Sequence, residues 1–125
     1  MKTNNREILI YYNPESNKGR KTVAHAQSVV HHVRSYSFKK APSNGTSWSQ
    51  IISSLGIPPK ELLNKAHPYY REHIKGQEFD DESWLKVLQY NPELIKAPIA
   101  IRGKRAILCL NPTDIHRLVD VVPSA

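Results

Sequence analysis

The hydrophobic pattern of the first third of the chain changes twice, from a short apolar run to a helical repeat and back. Ile8 to Tyr12 is continuously apolar or aromatic and predicts a strand. Lys18 to Val33 predicts a helix. Its apolar residues fall on one face: Val23, Ala26, Val30 and Val33. Ser35 to Phe38 then predicts a second strand with Tyr36 and Phe38 on one side. The first third therefore reads as a βαβ unit.

Helical periods replace the strands in the middle third. A turn from Pro42 to Gly45 precedes a helix that Thr46 or Ser47 can cap and that Gly56 ends. Pro58-Pro59 opens a short helix. Asp80 or Asp81 caps another helix, which runs to Asn91-Pro92. The apolar residues at helical spacing are Trp48, Ile51, Ile52 and Leu55 in the first helix and Trp84, Leu85, Val87 and Leu88 in the last.

A strand pattern returns after Pro98. Ile99 to Ile101, a turn around Gly103 and Ala106 to Leu110 predict a hairpin, and Pro112 opens a final helix. The strands at the two ends are too few for separate sheets, so we expect one α/β domain over residues 1–125 with a four-stranded mixed sheet. This is a thioredoxin-like arrangement. Its halves are residues 6–42 and 98–122, and the helical insertion spans residues 43–97.

Composition and charge narrow the function classes. The 125 residues are 39% hydrophobic, which suits one domain with a real core. No signal-peptide pattern or membrane-spanning run is present in the sequence, so we expect a cytoplasmic protein without a membrane partner. The net charge of +7 allows a small anion or an acidic protein as partner. Basic residues occur only in small groups without a nucleic-acid motif, so nucleic acid is not favoured.

Candidate chemistry concentrates at the end of the first predicted strand. Ser16, Asn17, Lys18, Gly19 and Arg20 lie where a strand ends and a helix begins, and exposed N–H groups at a helix start favour anions. The alternative is that Ser16 is an ordinary N-cap and that the basic residues are simply solvated. The sequence leaves both interpretations open.

The single cysteine, Cys109, limits thiol and metal chemistry. It excludes a disulfide within one chain and any CxxC motif. Its position in an apolar strand favours a small core residue over a reactive thiol. No histidine has a partner at metal-ligand spacing along the sequence, so neither a metal nor a cofactor is expected.

Four segments in order resemble the arsenate reductase family, which includes the Spx-type transcription regulators. They are IYYNPESNKGRKT, LGIPPKELLNKAHPYY, FDDESWLKVLQYNPELIKAPIAI and AILCLNP, and together they cover nearly the whole chain. The resemblance implies a thioredoxin fold in which Pro98, just before the third strand, is cis.

The same resemblance implies that the residues of the reductase reaction are replaced. The nucleophilic cysteine of the family matches Ser16, and the Spx-type cysteine pair matches Ser16 and Gly19. The three oxyanion-binding arginines match Asn64, Ala97 and Leu110. A serine hydroxyl cannot form the sulfur–arsenic or disulfide intermediates, and each arginine replacement removes a bidentate cation.

The sequence therefore predicts a non-catalytic binding or regulatory module of this family. The alternative is a thiol-dependent oxidoreductase, of the arsenate reductase or glutaredoxin type, that uses Cys109 or an external thiol. A possible protein interface is Tyr69, Tyr70 and Arg71, because tyrosine and arginine are favoured at binding surfaces. Packing of these tyrosines onto the sheet is the other interpretation.

Overall fold

The computed structural model describes residues 7–30, 32–40 and 48–119, and a four-stranded mixed sheet organises them. The strands are β1 (Glu7–Tyr12), β2 (His32–Ser37), β3 (Ile99–Arg102) and β4 (Arg105–Leu108), in the order β2-β1-β3-β4. β1 pairs with β2 in parallel, Ile10 opposite Ser35. β1 and β3 are antiparallel, as are β3 and β4. The predicted four-stranded mixed sheet is confirmed.

Among the described residues, four helices flank the sheet: α1 (Asn17–Val29), α2 (Trp48–Leu55), α3 (Asp81–Tyr90) and α4 (His116–Val119). Shorter helical segments connect them. The 3-10 turns are Phe38–Lys40, Pro59–Leu62, Pro92–Leu94 and Pro112–Ile115, and Tyr70–Ile74 forms a turn of π-helix. The predicted turn at Pro42 to Gly45 and the cap at Thr46 or Ser47 lie outside the described residues.

Alternation along the strands places two apolar clusters on opposite faces of the sheet. Ile8, Ile10 and Ala100 face α1 and the C-terminal helical segment, in a cluster with Val23 and Ala26. Alternate residues face the helical middle of the chain. These are Leu9, Tyr11, Ile99 and Ile101, which join Trp48, Ile51, Trp84 and Leu88. Because successive strand side chains point to opposite faces, each strand contributes to both clusters.

Two helix ends lie at the capping residues that the sequence predicts. Asp80 caps α3 by accepting a hydrogen bond from the Ser83 N–H at 2.8 Å. Gly56 follows α2 with φ of 72°, a conformation that suits glycine.

The predicted boundary between α1 and β2 is wrong. α1 ends at Val29 and β2 begins at His32, and Val30 and Val33 still pack against the α1 cluster.

The expectation of a cis bond before Pro98 is also wrong. No peptide bond is cis in the described part of the chain, so the Ala97–Pro98 bond is trans. The trans form is the intrinsically preferred one even for proline, by about 0.5 to 1 kcal/mol. In this conformation the Pro98 carbonyl accepts a hydrogen bond from the Cys109 N–H at 2.8 Å, which ties the start of β3 to the end of β4.

Candidate functional site

The turn between β1 and α1 is held by its own hydrogen bonds. The Ser16 hydroxyl oxygen accepts from the Gly19 N–H at 3.1 Å, and the Ser16 carbonyl accepts from the Arg20 N–H at 3.0 Å. The Asn13 side chain accepts from the Glu15 N–H, and the Asn13 carbonyl accepts from the Ser16 N–H, both at 2.9 Å. Ser16 is therefore the N-cap of α1.

Arg20 and Gly19 complete this turn. The Arg20 guanidinium donates to the Pro14 carbonyl at 2.8 Å and to the Asn17 side-chain oxygen. Gly19 is buried, and a Cβ atom there would lie 2.9 Å from the Asn13 carbonyl oxygen. The Arg20 guanidinium of the candidate anion site thus already donates hydrogen bonds within the turn. The close approach of the Asn13 carbonyl leaves no room for a side chain at Gly19.

Few donors of the first helical turn remain for a ligand. Within the described residues, the backbone N–H groups of Asn17 and Lys18 have no hydrogen-bond partner. Both residues are exposed, as is the Lys18 side chain. These two N–H groups lie at the positive end of the α1 dipole, where an anion can bind weakly.

A cavity of about 370 Å³ lies on one side of the turn. Asn13 to Glu15 form one wall, Ser37 to Lys39 at the end of β2 form another, and His67, Pro92 and Glu93 complete it. The His67 Nδ1 atom accepts from the Tyr69 N–H at 3.1 Å, so the neutral ring carries its proton on Nε2. The cavity therefore mixes hydrogen-bond donors with the carboxylates of Glu15 and Glu93.

The three residues that the resemblance matches to the oxyanion-binding arginines bring no positive charge. The Asn64 side chain accepts from the Ala66 N–H at 3.0 Å, and the Asn64 N–H donates to the Leu94 carbonyl at 2.7 Å. Ala97 is buried, and Leu110 is exposed. Asn64 shapes a loop, and the other two side chains are apolar.

Cys109 lies just beyond β4 and is fully buried in the apolar cluster beneath α1. Burial raises the pKa of its thiol from an ordinary 9.0 to about 12, the Asp114 carboxylate adds to the rise, and Arg117 opposes it. A thiolate is therefore disfavoured. The prediction of a small core residue agrees with this position.

The predicted Tyr69, Tyr70 and Arg71 surface is only partly exposed. Tyr70 is buried in the cluster that faces the helical middle of the chain, so its place in an exposed interface is wrong. Tyr69 is 39% exposed and packs against His73, with ring centroids 4.6 Å apart and ring planes tilted by 41°. Tyr70 and Ile74 turn inward because the π-helical segment packs that edge against the core.

One contact between polar side chains was not predicted from the sequence. The Nε2 atoms of His25 and His116 are 2.8 Å apart, although the residues are separated by 91 positions. Nothing in the local spacing indicates this pair, since only the packing of α1 on the C-terminal helical segment brings it together. The described residues hold no group of three or more potential metal-ligating side chains.

Comparison with known proteins settles the family. The family model described as ArsC family matches residues 11–118. The chain belongs to the ArsC family. An arsenate reductase of Acidiphilium multivorum is 24% identical over 119 residues, covering 94% of this chain and 82% of that protein. The uncharacterized protein YfgD of Escherichia coli strain K12 is 20% identical over 116 residues, covering 91% and 98%.

Solved structures of ArsC-like proteins share the fold. The arsenate reductase from Vibrio cholerae aligns with a TM-score of 0.78 at 20% identity, covering 90% of this chain and 98% of that one. A putative ArsC family related protein from Bacteroides fragilis gives 0.70 at 17% identity, covering 90% and 98%. The thioredoxin-like α/β architecture is therefore established. Among the described residues, no helix is long and apolar enough to cross a bilayer.

Proposed function

We propose that this ArsC-family protein is a non-catalytic binding or regulatory module. The observation that carries the proposal is the state of its one thiol. Cys109 is fully buried and its pKa is raised to about 12, while Ser16 occupies the position matched to the nucleophile of the family. Thiolate, not thiol, attacks arsenate or a disulfide, so neither residue supplies the required nucleophile.

The hydrogen bonds of Ser16 support a structural role for this residue. Its hydroxyl oxygen caps α1 by accepting from the Gly19 N–H. A helix start and nearby cations can bring a thiol to its ionised form near neutral pH, but they cannot do so for an alcohol. The position that would attack the substrate in a reductase is here part of the scaffold of the turn.

The replaced arginines support the same proposal. Binding of a tetrahedral oxyanion in a reductase relies on bidentate guanidinium groups, and Asn64, Ala97 and Leu110 provide none. The remaining guanidinium at the turn, that of Arg20, donates to the Pro14 carbonyl and to Asn17. An oxyanion bound here would accept hydrogen bonds only from backbone N–H groups and would be attracted by the charge of exposed lysines.

We infer that the ligand of this module is a small anion or an acidic group of a protein, held at the Ser16 to Arg20 turn beside the 370 Å³ cavity. The free donors are the N–H groups of Asn17 and Lys18. An exposed helix dipole adds only about 0.3 to 1 kcal/mol to the binding free energy, so we expect weak binding. The expected dissociation constant is roughly millimolar, which corresponds to a binding free energy of about 4 kcal/mol.

An arsenate reductase assay tests the absence of catalysis. The purified protein should show no arsenate reduction with glutathione and glutaredoxin, or with thioredoxin. Turnover that disappears in Cys109→Ala would support the alternative of a thiol-dependent oxidoreductase that uses Cys109. Turnover that persists in Cys109→Ala would place the reaction on an external thiol. Either result would remove the proposal of a non-catalytic module.

A phosphate or sulfate titration followed by NMR tests the binding site. The amides of Asn17 and Lys18 should shift first, and the shifts should shrink as chloride is added. Shifts centred on Arg102 to Arg105 would instead place the anion on the β3–β4 hairpin. With no response in either region, the turn is only a helix cap and the anion proposal is wrong.

A further inference from the structure

His25 and His116 form a contact between two elements that are distant in sequence. His25 lies on α1, and His116 begins α4. Their Nε2 atoms are 2.8 Å apart, and the ring planes meet at 75° with centroids 4.8 Å apart. In the neutral pair, one Nε2–H donates to the other Nε2. Two imidazole nitrogens thus converge at a solvent-accessible position on the surface.

The backbone that carries His116 is held by other contacts. The segment before His116 starts with a capping box, in which Asn111 and Asp114 exchange hydrogen bonds. The β3–β4 hairpin holds the same segment, because Arg102 donates to the Leu118 carbonyl at 2.7 Å and Arg105 to the Arg117 carbonyl at 2.8 Å. Ligands on fixed elements lose less entropy when they bind.

The spacing of the two nitrogens suits a metal ion with ligands at right angles. Imidazole nitrogens bind first-row ions at about 2.0 Å, so two of them in adjacent square-planar positions are about 2.8 Å apart. Tetrahedral coordination spreads the same two nitrogens to about 3.3 Å. The 2.8 Å separation of His25 and His116 matches the first geometry.

We propose that His25 and His116 form a two-histidine binding site for a square-planar divalent ion, Cu²⁺ above all. Cu²⁺ ranks highest among the first-row divalent ions for nitrogen ligands and prefers this geometry. Water fills its remaining positions. Both rings bind through Nε2, so the ring that carried its proton there moves the proton to Nδ1, and two neutral histidines bind without net proton release.

The bound ion would link α1 to the C-terminal helical segment. This site is separate from the Ser16 turn, since His25 lies more than two helical turns further along α1. The net charge of the chain, +7, works against a dication. Affinity must therefore come from the two imidazole donors, and removal of either donor should remove most of it.

Copper titration of the full-length protein tests this site. Addition of CuCl₂ should give one tight equivalent, with an electron paramagnetic resonance spectrum of two coordinated nitrogens. Paramagnetic broadening in NMR spectra should centre on the amides around His25 and His116. Zn²⁺ should bind more weakly than Cu²⁺.

Three variants separate this site from unspecific copper binding. His25→Gln and His116→Gln should each weaken binding roughly tenfold or more, since even the loss of an outer-shell partner costs that much. The matched control is His73→Gln, which removes another exposed histidine and should leave the affinity unchanged. Copper should raise the Tm of the wild type and of the control, but not of the other two variants.

Several results would overturn the proposal. Equal copper affinity in His25→Gln and wild type is one of them. Broadening centred on the amino terminus or on His31 and His32 is another, because it would place the ion on adventitious ligands. No binding in the wild type would show that the pair is a hydrogen bond only. The broadening experiment uses unmodified protein, so it remains decisive even if a variant is unstable.

Discussion

Cys109 should react with thiol reagents far more slowly than an accessible cysteine. Its side chain is fully buried, and burial raises the pKa of the thiol from 9.0 to about 12. At about pH 8 that difference lowers the thiolate fraction roughly a thousandfold, since each pKa unit is a factor of ten. Only the thiolate attacks, so the reaction with Ellman's reagent should slow by at least the same factor.

A cysteine placed at the turn provides the matched control. The double variant Ser16→Cys with Cys109→Ala carries one thiol at the N-terminus of α1, where the helix dipole favours the thiolate. Ellman's reagent should modify this thiol quickly. Wild type should be modified slowly in native buffer and at the rate of a free thiol in denaturant, which shows that Cys109 itself is chemically normal.

The comparison of these two rates decides the interpretation. If folded wild type reacts within about tenfold of the turn variant, the thiol is accessible and its pKa is not raised by burial as described. Circular dichroism under the labelling conditions must show that the protein is still folded. That result would also restore Cys109 as a candidate nucleophile for a thiol-dependent oxidoreductase.

Three further predictions concern stability. Gly19→Ala should destabilise the fold by about 1 to 2 kcal/mol in urea unfolding, because its Cβ would meet the Asn13 carbonyl oxygen at 2.9 Å; stabilisation by about 1 kcal/mol, as in an open helix, would contradict the close approach. Leu88→Ala should cost about 2 to 5 kcal/mol, because Leu88 is fully buried, and a smaller loss would mean that the core collapses around the gap. Asp80→Ala should lower the Tm at neutral pH, because it removes the hydrogen bond from the Ser83 N–H. That bond lowers the pKa of Asp80 in the folded state, so its contribution is present above the pKa of the unfolded chain and is lost as the pH falls; a Tm difference that persists in strong acid would refute this account.

Local chemistry determined much of the fold. The apolar run at Ile8 to Tyr12 became β1, and the single-face pattern of α1 packs Val23 and Ala26 on the sheet. Gly56 and Asp80 mark helix ends where their backbone and side-chain preferences require. Such signals act over a few residues, so they can be recognised without knowing the rest of the chain.

The resemblance of short segments also identified the family correctly, but it did not fix every detail. It implied a cis bond before Pro98, and the bond is trans. The isomer depends on the packing around one peptide bond, and the two forms of a prolyl bond differ by only about 0.5 to 1 kcal/mol. A family pattern spread over the chain cannot resolve so small a difference at one position.

By itself, the sequence determined the order of strands and helices, the apolar face of α1 and the presence of one thiol. Only the tertiary structure decided which of two neighbouring tyrosines is buried and which distant residues meet. Tyr70 turns inward while its neighbour Tyr69 remains exposed. The raised pKa of Cys109 results from desolvation by surrounding elements. His25 and His116 meet because α1 packs on the C-terminal segment, and such long-range packing leaves no periodic signal in the sequence.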